Sequence, residues 1–376
     1  MSHPSNLFPP DYETSRARFR ASLARIQQRW PNARLITQSL DAADDLTLDW
    51  IEAPAVERNE RGLIFTLGEH GIEAYAGSAM LEIFLSEFST LLNPATTGLL
   101  LVHAINPWGM KHRRRVNCSN VDPNRNFVSN EGHLSAAANP DYANVDAFLN
   151  PAHSPRSWAQ MQIHFAAGLV GAILRLGMAR FQAAVLLGQY RHPLGIYYGG
   201  KTLQPEVQTL QMLFQSAVAQ YERILLLDMH TGYGPRYLMS IVNSALEPRT
   251  SDELKTTFAY PNVVKTNPNE FYAIQGDMID YLYTLVNKAK PLYATTFEFG
   301  TFGDSTAASL RSLRATIFEN WLSHHPTANP RLAEKIHHEF AGLYLPEEPA
   351  WRDKAVADAR QAFSGILKAE GYIQNA

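Results

Sequence analysis

Short apolar runs alternate along this chain with longer segments in which apolar residues return every third or fourth position. The runs Leu63–Leu67, Gly98–Ile105, Ala183–Leu187, Ile224–Leu227 and Tyr293–Phe299 are brief and bounded by breakers, which favours buried strands over helices. Between the first two, Met80, Leu81, Phe84, Phe88, Leu91 and Leu92 repeat at helical spacing before Asn93-Pro94, a helix with its stop signal. Residues 12–30 predict an N-terminal helix ending at Pro31-Asn32. From about Asp304 the pattern is helical only. Leu332, Ile336, Phe340 and Leu343 share one face, as do Val356, Phe363, Ile366 and Leu367 before Gly371. Residues 129–160, rich in Asn, Ala, Ser and Pro, read as a long surface excursion. There is no internal repeat and no low-complexity block.

Strands alternating with helices predict an α/β sheet covered on both faces. The expected organisation is one domain over residues 1–376, with motifs in 60–303 and a helical C-terminal extension in 304–376. A net charge of −3 gives no overall attraction to nucleic acid or to an anionic membrane. The basic run Lys111-His-Arg-Arg-Arg115 fits local site chemistry or a solvated turn better than a nucleic-acid patch. Cys118 is the only cysteine, which excludes an intrachain disulfide. Residues 1–10 lack the charged and apolar regions of a signal peptide. No segment offers about 18 consecutive apolar residues. The expectation is a soluble cytoplasmic protein with no membrane and no nucleic-acid partner.

Against this ordinary background His70-Gly-Ile-Glu73 stands out, where the Leu63–Leu67 run breaks at Gly68. Residues three apart can share one face of a first helical turn. Imidazole nitrogen and carboxylate oxygen both bind Zn²⁺, at about 2.0–2.2 Å. His230, ending the run Ile224-Leu-Leu-Leu-Asp-Met-His230, is the candidate third ligand. A lone histidine there would ordinarily be hydrogen-bonded at a strand end; a histidine–carboxylate pair elsewhere makes it a ligand candidate. Asp228, two residues earlier, is a candidate support for it. The stretch Asn106–Phe127 is dense in groups that bind anions, although by itself it could equally be a polar loop. Asn124 beside Arg125 could hold a terminal carboxylate, and Arg115 could polarise a carbonyl, through the planar guanidinium fork. Glu298 sits among apolar and aromatic residues in Thr295-Thr-Phe-Glu-Phe-Gly300. Burial would raise its pKa, as suits a general base; an edge-strand glutamate facing water is the competing reading. His70, the Asn106–Asn126 stretch and His230 follow apolar runs, and Glu298 falls at the end of one. Open α/β sheets place their sites beyond such strand ends.

The ordered set His70-x-x-Glu73, Asn106-Pro-x-Gly109, Arg115-Val-Asn, Asp122-x-Asn-Arg-Asn-Phe127, Gly-x(4)-Pro205-Glu206, His230 and Glu298 resembles the zinc carboxypeptidase superfamily over roughly residues 60–303. Gly188-Gln-Tyr with His192-Pro-x-Gly-x-Tyr-Tyr-Gly-Gly200 suggests an uncharacterised bacterial branch of it. The resemblance implies a mixed, mostly parallel sheet and one zinc ion per chain, held by His70, Glu73 and His230 with a bound water. It implies Glu298 as general base and Arg115 at the oxyanion. Asn124 and Arg125 would hold the substrate's free carboxylate. Phe271-Tyr-Ala-Ile-Gln-Gly-Asp-Met-Ile-Asp280 resembles the segment that carries the family's mobile tyrosine, which implies Tyr272 over the substrate and Ile279 in the side-chain pocket. Asp122 would orient His70. Arg113, Arg114 and Arg115 are adjacent, and only the Arg-Val-Asn match selects among them.

The implied activity is hydrolysis of an amide beside a free carboxylate, on a peptide substrate. An alternative is an N-acyl amino acid deacylase of the aspartoacylase or succinylglutamate desuccinylase type, but those relatives typically carry a C-terminal β domain. A recognition module that has lost catalysis is a third class, disfavoured by the presence of Glu298 and Arg115. His338-Glu339 is followed by Gly342 and so fails the zincin pattern. No nucleophile elbow, P-loop or dinucleotide fingerprint occurs.

Overall fold

The computed structural model describes residues 7–41, 43–266, 275–287 and 290–374. Among the described residues eight strands form one sheet: β1 (Arg34–Asp41), β2 (Leu46–Ala53), β3 (Arg61–Leu67), β4 (Thr97–His103), β5 (Arg223–Gly232), β6 (Met239–Asn243), β7 (Val263–Lys265) and β8 (Leu292–Gly300). Their order is β1-β2-β4-β3-β5-β8-β6-β7. The centre, β4-β3-β5-β8, is parallel, and so is the β6-β7 pair. β1 with β2, β2 with β4, and β6 with β8 are antiparallel. The sheet is therefore mixed and mostly parallel, as expected.

Among the described residues twelve α-helices accompany it: α1 (Tyr12–Gln27), α2 (Ala74–Ile83), α3 (Pro107–Lys111), α4 (Asp146–Leu149), α5 (Trp158–Leu176), α6 (Met178–Leu186), α7 (Pro205–Gln220), α8 (Ser251–Phe258), α9 (Met278–Leu285), α10 (Thr306–His324), α11 (Pro330–Tyr344) and α12 (Pro349–Ala369). Among the described residues no single helix is long and apolar enough to cross a membrane.

Strand alternation divides the core. Leu63, Phe65 and Leu67 of β3 pack with Leu225, Leu227 and Met229 of β5 under α1, α2, α8 and α12. Ile64, Leu226 and Ala294 face the other way, against Val207, Leu210 and Phe214 of α7 and Met278 and Leu282 of α9. Because successive side chains point to opposite faces, strands covered on both sides must be apolar at nearly every position. That is why β3, β4 and β5 were legible as continuous runs. β1 carries the sequence Arg-Leu-Ile-Thr-Gln-Ser-Leu-Asp on the sheet edge, and its polar composition hides it from a search for apolar runs.

Two expectations need correction. Ala183–Leu187 is not a strand: most of it lies in α6, whose buried Phe181, Ala184 and Val185 fall at helical spacing. A five-residue window was too short to show that period. Residues 129–160 are not only a surface excursion. Tyr142, Val145, Phe148 and Leu149 are buried in a separate apolar cluster with Phe165, Phe181, Phe318 and Trp321.

The C-terminal helices belong to the body of the molecule. Phe363 of α12 stacks on Phe297 of β8 at 5.1 Å and meets Phe84 edge to face at 5.9 Å. Covering a central strand in this way removes several hundred Å² of apolar surface from water, at about 25 cal/mol per Å².

Candidate metal centre

The parallel strands β3, β5 and β8 finish at one edge of the sheet. His230 and Glu298 are register partners on β5 and β8, so their side chains emerge side by side. β3 stops at Leu67, and His70 is the N-cap of a single 3₁₀ turn, Gly71–Glu73, that leads into α2. On this turn Nδ1 of His70 lies 2.9 Å from Oε1 of Glu73. Nδ1 of His230 lies 3.1 Å from Oε2 of the same carboxylate. The two imidazoles meet edge to face with centroids 4.9 Å apart.

The turn is braced from one side by residues 106–115. A Cβ on Gly71 would fall 2.1 Å from the carbonyl carbon of Gly109, so only glycine permits the approach. Asn106 accepts the Gly109 N–H at 2.8 Å and donates to the Arg115 carbonyl at 3.2 Å. The N–H groups of Gly71 and Ile72 donate to the carbonyls of Arg115 and Arg114. The Asn106-Pro-x-Gly109 motif is thereby explained as a scaffold that delivers Arg115 to the cleft. Of the three adjacent arginines, only Arg115 reaches it. Arg114 pairs with Glu319 at 2.7 Å, and Arg113 donates to the Pro10 carbonyl at the surface.

Both imidazoles give their other nitrogen to a carboxylate. Nε2 of His70 lies 3.1 Å from Oδ1 of Asp122, whose Oδ2 accepts from Nε of Arg115 at 3.1 Å. Nε2 of His230 lies 2.6 Å from Oδ2 of Asp228, and Thr66 donates to the other Asp228 oxygen at 2.6 Å. Asp228 and His230 are two apart on β5 and therefore on one face. Such outer carboxylates fix the tautomer and raise the basicity of a ligating imidazole.

Glu69 was missed from sequence. It is buried, its Oε2 lies 3.4 Å from Nε2 of His230, and neither oxygen has a hydrogen-bond partner. Donor atoms of Glu69, His70 and His230 all lie within 4.8 Å of one another. Its place beside His70 was the only available signal, and strand-end position alone does not separate a site residue from a turn residue.

The donor set fits a divalent cation. Glu69, Glu73, Asp122, Asp228 and Glu298 surround two imidazoles and one guanidinium. Burial, reinforced by Asp228, pushes Glu69 up to about 7. Burial and the Glu73 charge push Glu298 up to about 7. Burial also acts to raise Glu73, but His70 and His230 prevail and hold it below the usual carboxylate range. Arg115 and His70 do the same for Asp122. Nδ1 of His70 is buried and, despite its closeness to Glu73, lacks an aligned hydrogen bond. Excess buried negative charge around an orphaned ring nitrogen is what a dication would neutralise, and mixed nitrogen and oxygen donors suit Zn²⁺.

Glu298 is partly exposed, and its Oε1 accepts the Tyr233 N–H at 2.9 Å. Arg125 is buried, with Nη1 on the Asn124 carbonyl at 2.8 Å and Nη2 on the Leu186 carbonyl at 3.0 Å. Its Nε has no partner, and no carboxylate among the described residues forms an ion pair with it. Asn124 is partly exposed and accepts the Met278 N–H at 3.0 Å, tying it to the start of α9. Tyr272 lies outside the described residues. Ile279 is not brought to the cluster: it is 5% exposed in the apolar core with Phe127 and Val207. The residues at the head of α9 that are partly exposed are Asp277 and Asp280.

Three tyrosines were also missed. Arg115 and Arg125 both stand over the Tyr197 ring, at 5.6 and 5.8 Å. The Tyr197 hydroxyl is 3.2 Å from that of Tyr233, and Tyr344 approaches from α11. Tyr197 lies in the quoted His192–Gly200 segment, whereas Tyr233 and Tyr344 carry no sequence signal.

Among solved structures, carboxypeptidase A from Helicoverpa armigera is 13% identical, with a TM-score of 0.46 over 90% of this chain and 74% of that one. Bovine thrombin-activatable fibrinolysis inhibitor is 14% identical, with a TM-score of 0.46 over 87% of this chain and 95% of that one. Succinylglutamate desuccinylase from Chromobacterium violaceum is 15% identical, with a TM-score of 0.37 over 81% and 74%. No curated protein matches the chain. The family model described as "Protein of unknown function (DUF2817)" matches residues 8–358, and the chain belongs to that family.

Proposed function

We propose that the chain is a zinc-dependent hydrolase of an amide bond beside a free carboxylate, acting as a metallocarboxypeptidase. One observation carries the reading. Nδ1 of His70 and Nδ1 of His230 meet a single carboxylate, Glu73, while each Nε2 is committed to another. Imidazoles held for structure alone have no need of that divided arrangement.

His70, Glu73 and His230 would hold the zinc, which when bound would supply Lewis acidity, bringing a water's pKa toward about 7 and polarising the scissile carbonyl. Asp122 and Asp228 keep the two rings in the ligating tautomer. Glu298, level with His230, removes a proton from the attacking water and returns it to the departing amine nitrogen. The C–N bond breaks, and the products are a carboxylate and an amine. Arg115 faces the carbonyl oxygen as it gains charge; a preorganised donor there contributes on the order of 3–4 kcal/mol. Arg125, buried without a carboxylate partner, and Asn124 beside it hold the substrate's terminal carboxylate through charge-assisted hydrogen bonds.

The test is a screen of N-blocked dipeptides with free C-termini alongside N-acyl amino acids, with and without added zinc and chelator. Zinc-dependent cleavage of the blocked dipeptides is expected. Preference for the N-acyl amino acids would move the assignment to a deacylase. Absence of hydrolysis of both sets by metal-loaded protein would overturn it.

A further inference from the structure

Helix α5 is apolar on two opposite faces. Its inner face, Met161, Phe165, Ala172 and Leu176, is buried against Phe148, Phe318 and Trp321. On the other side Ala159, Ile163, Ala166, Ala167, Val170 and Leu174 return every one to four positions, and all are exposed. At about 100° per residue they form one stripe roughly 100° wide along the helix. Leu174 is 82% exposed, Ile163 70% and Val170 57%. Arg175 is the only Asp, Glu, Lys or Arg in α5. A helix that is apolar all round is ordinarily covered all round. Single exposed apolar residues need no explanation, but a continuous stripe marks a contact surface.

The charge around the stripe is of one sign. Residues 147–205 contain Arg156, Arg175, Arg180, Arg191 and Lys201 and no Asp or Glu. The chain's net charge of −3 conceals this segregation. Just before the segment, Asp141 is engaged by Arg180 at 2.6 Å and Asp146 by His192 at 3.1 Å. Arg156, beside the N-cap Ser157, and Arg175, in the last turn, bracket the stripe. Both are exposed, and neither forms an ion pair among the described residues. Arg175 donates to the Asn144 carbonyl at 2.9 Å.

A second copy of the chain fits this surface poorly. Antiparallel pairing of two α5 stripes sets Arg156 against Arg175, and parallel pairing sets each arginine against itself. A stripe about 28 Å long and about 10 Å across also falls well short of the roughly 800 Å² per partner of a stable complex. An anionic lipid surface supplies the complementary charge and receives a single apolar helix face. The chain bends by 113° between α5 and α6, and the inner face of α5 is held in the core. The helix is therefore placed to lie on a bilayer, not to cross it.

We propose that α5 docks the protein on an anionic lipid bilayer, with Ile163, Val170 and Leu174 entering the acyl boundary and Arg156 and Arg175 meeting headgroup phosphates. The inference is independent of the hydrolase reading.

The test is co-flotation of the whole chain with vesicles of phosphatidylcholine alone and of phosphatidylcholine with phosphatidylglycerol, at low and high salt. Thermal midpoint and size-exclusion mass are read in parallel. Wild type should partition onto anionic vesicles at least about tenfold better than onto neutral ones, and about 0.5 M salt should remove most of that preference. Ile163→Ser with Leu174→Ser should keep the thermal midpoint and lose about tenfold in partitioning. Arg156→Gln with Arg175→Gln should lose most of the preference for anionic over neutral lipid. Wild type that does not partition, or a folded serine variant that partitions as wild type does, would overturn the proposal. Should the serine variant not fold, an undiminished anionic preference in the glutamine variant overturns it instead. A wild-type dimer that the serine substitutions convert to a monomer would assign the stripe to a second copy, which also overturns it.

Discussion

The backbone N–H of Thr231 donates to Oε2 of Glu73 at 2.8 Å. The residue after His230 thus holds the carboxylate that His230 faces, and β5 is tied to the turn after β3 by this bond. Metal binding should therefore find a largely formed site. Purified protein is expected to hold close to one zinc per chain by mass spectrometry of metals, and His230→Ala should abolish its retention. Zinc retained at full stoichiometry in His230→Ala would remove that residue from the ligand set.

Asp122 serves His70 and Arg115 with its two oxygens. Asp122→Asn should weaken zinc affinity about 10- to 100-fold, the usual cost of losing an outer partner of a ligating histidine. It should also lower kcat, because Arg115 loses its firmest anchor. A competition titration against a chelator checks the first effect, and unchanged affinity would show that His70 holds its orientation without Asp122.

Glu298 is raised to about 7 by burial and by Glu73, while His230 acts in the opposite sense. As a base it must be ionised, so kcat/KM should rise with pH and lose its acid limb at or below about 7, since a nearby dication lowers the value further. Glu298→Gln should keep zinc and lose at least about a hundredfold in kcat. A variant with wild-type kcat would exclude the base role.

Arg125 directs its hydrogen bonds to the backbone carbonyls of Asn124 and Leu186. Converting the C-terminal carboxylate of a cleaved peptide to an amide should raise KM and lower kcat/KM by about tenfold or more, since a charge-assisted pair is worth roughly 1.5–3 kcal/mol. Arg125→Ala should erase the preference. Equal rates on acid and amide with wild type would place the substrate carboxylate elsewhere.

Away from the cleft, His103 is buried at the end of β4, with Nε2 2.8 Å from the Ser15 hydroxyl. Burial lowers its pKa to about 3. The folded protein keeps it neutral, while the unfolded chain takes up a proton near 6.5. Between about 6.5 and about 3 the unfolded state binds the extra proton, so this residue's contribution to stability falls as pH falls through that window. Thermal midpoints should drop from pH 7.5 to 4.5, and His103→Gln should flatten that slope. Parallel slopes in the two proteins would assign the acid sensitivity to other groups.

The central strands, which alternation and burial fix, were legible in advance. A buried parallel sheet needs continuous apolar strands, so Leu63–Leu67, Ile224–Leu227 and Tyr293–Phe299 announced its centre. Because parallel strands finish at one edge, His70, His230 and Glu298 could be assigned to one cleft. Local spacing paired His70 with Glu73. β1 was not legible, because an edge strand can be polar. α6 was misread, because five apolar residues fit either period.

The sequence by itself determined the kinds of donor atom and the order in which the strands present them, since both follow from local spacing and continuous burial. Only the tertiary structure decided which of Arg113, Arg114 and Arg115 approaches Glu73, that Glu69 flanks His230, and that Tyr344 meets Thr231 from the end of α11. Those choices depend on contacts between segments far apart in the chain. Nothing in the local pattern of a helix records which distant side chain its last residue will meet.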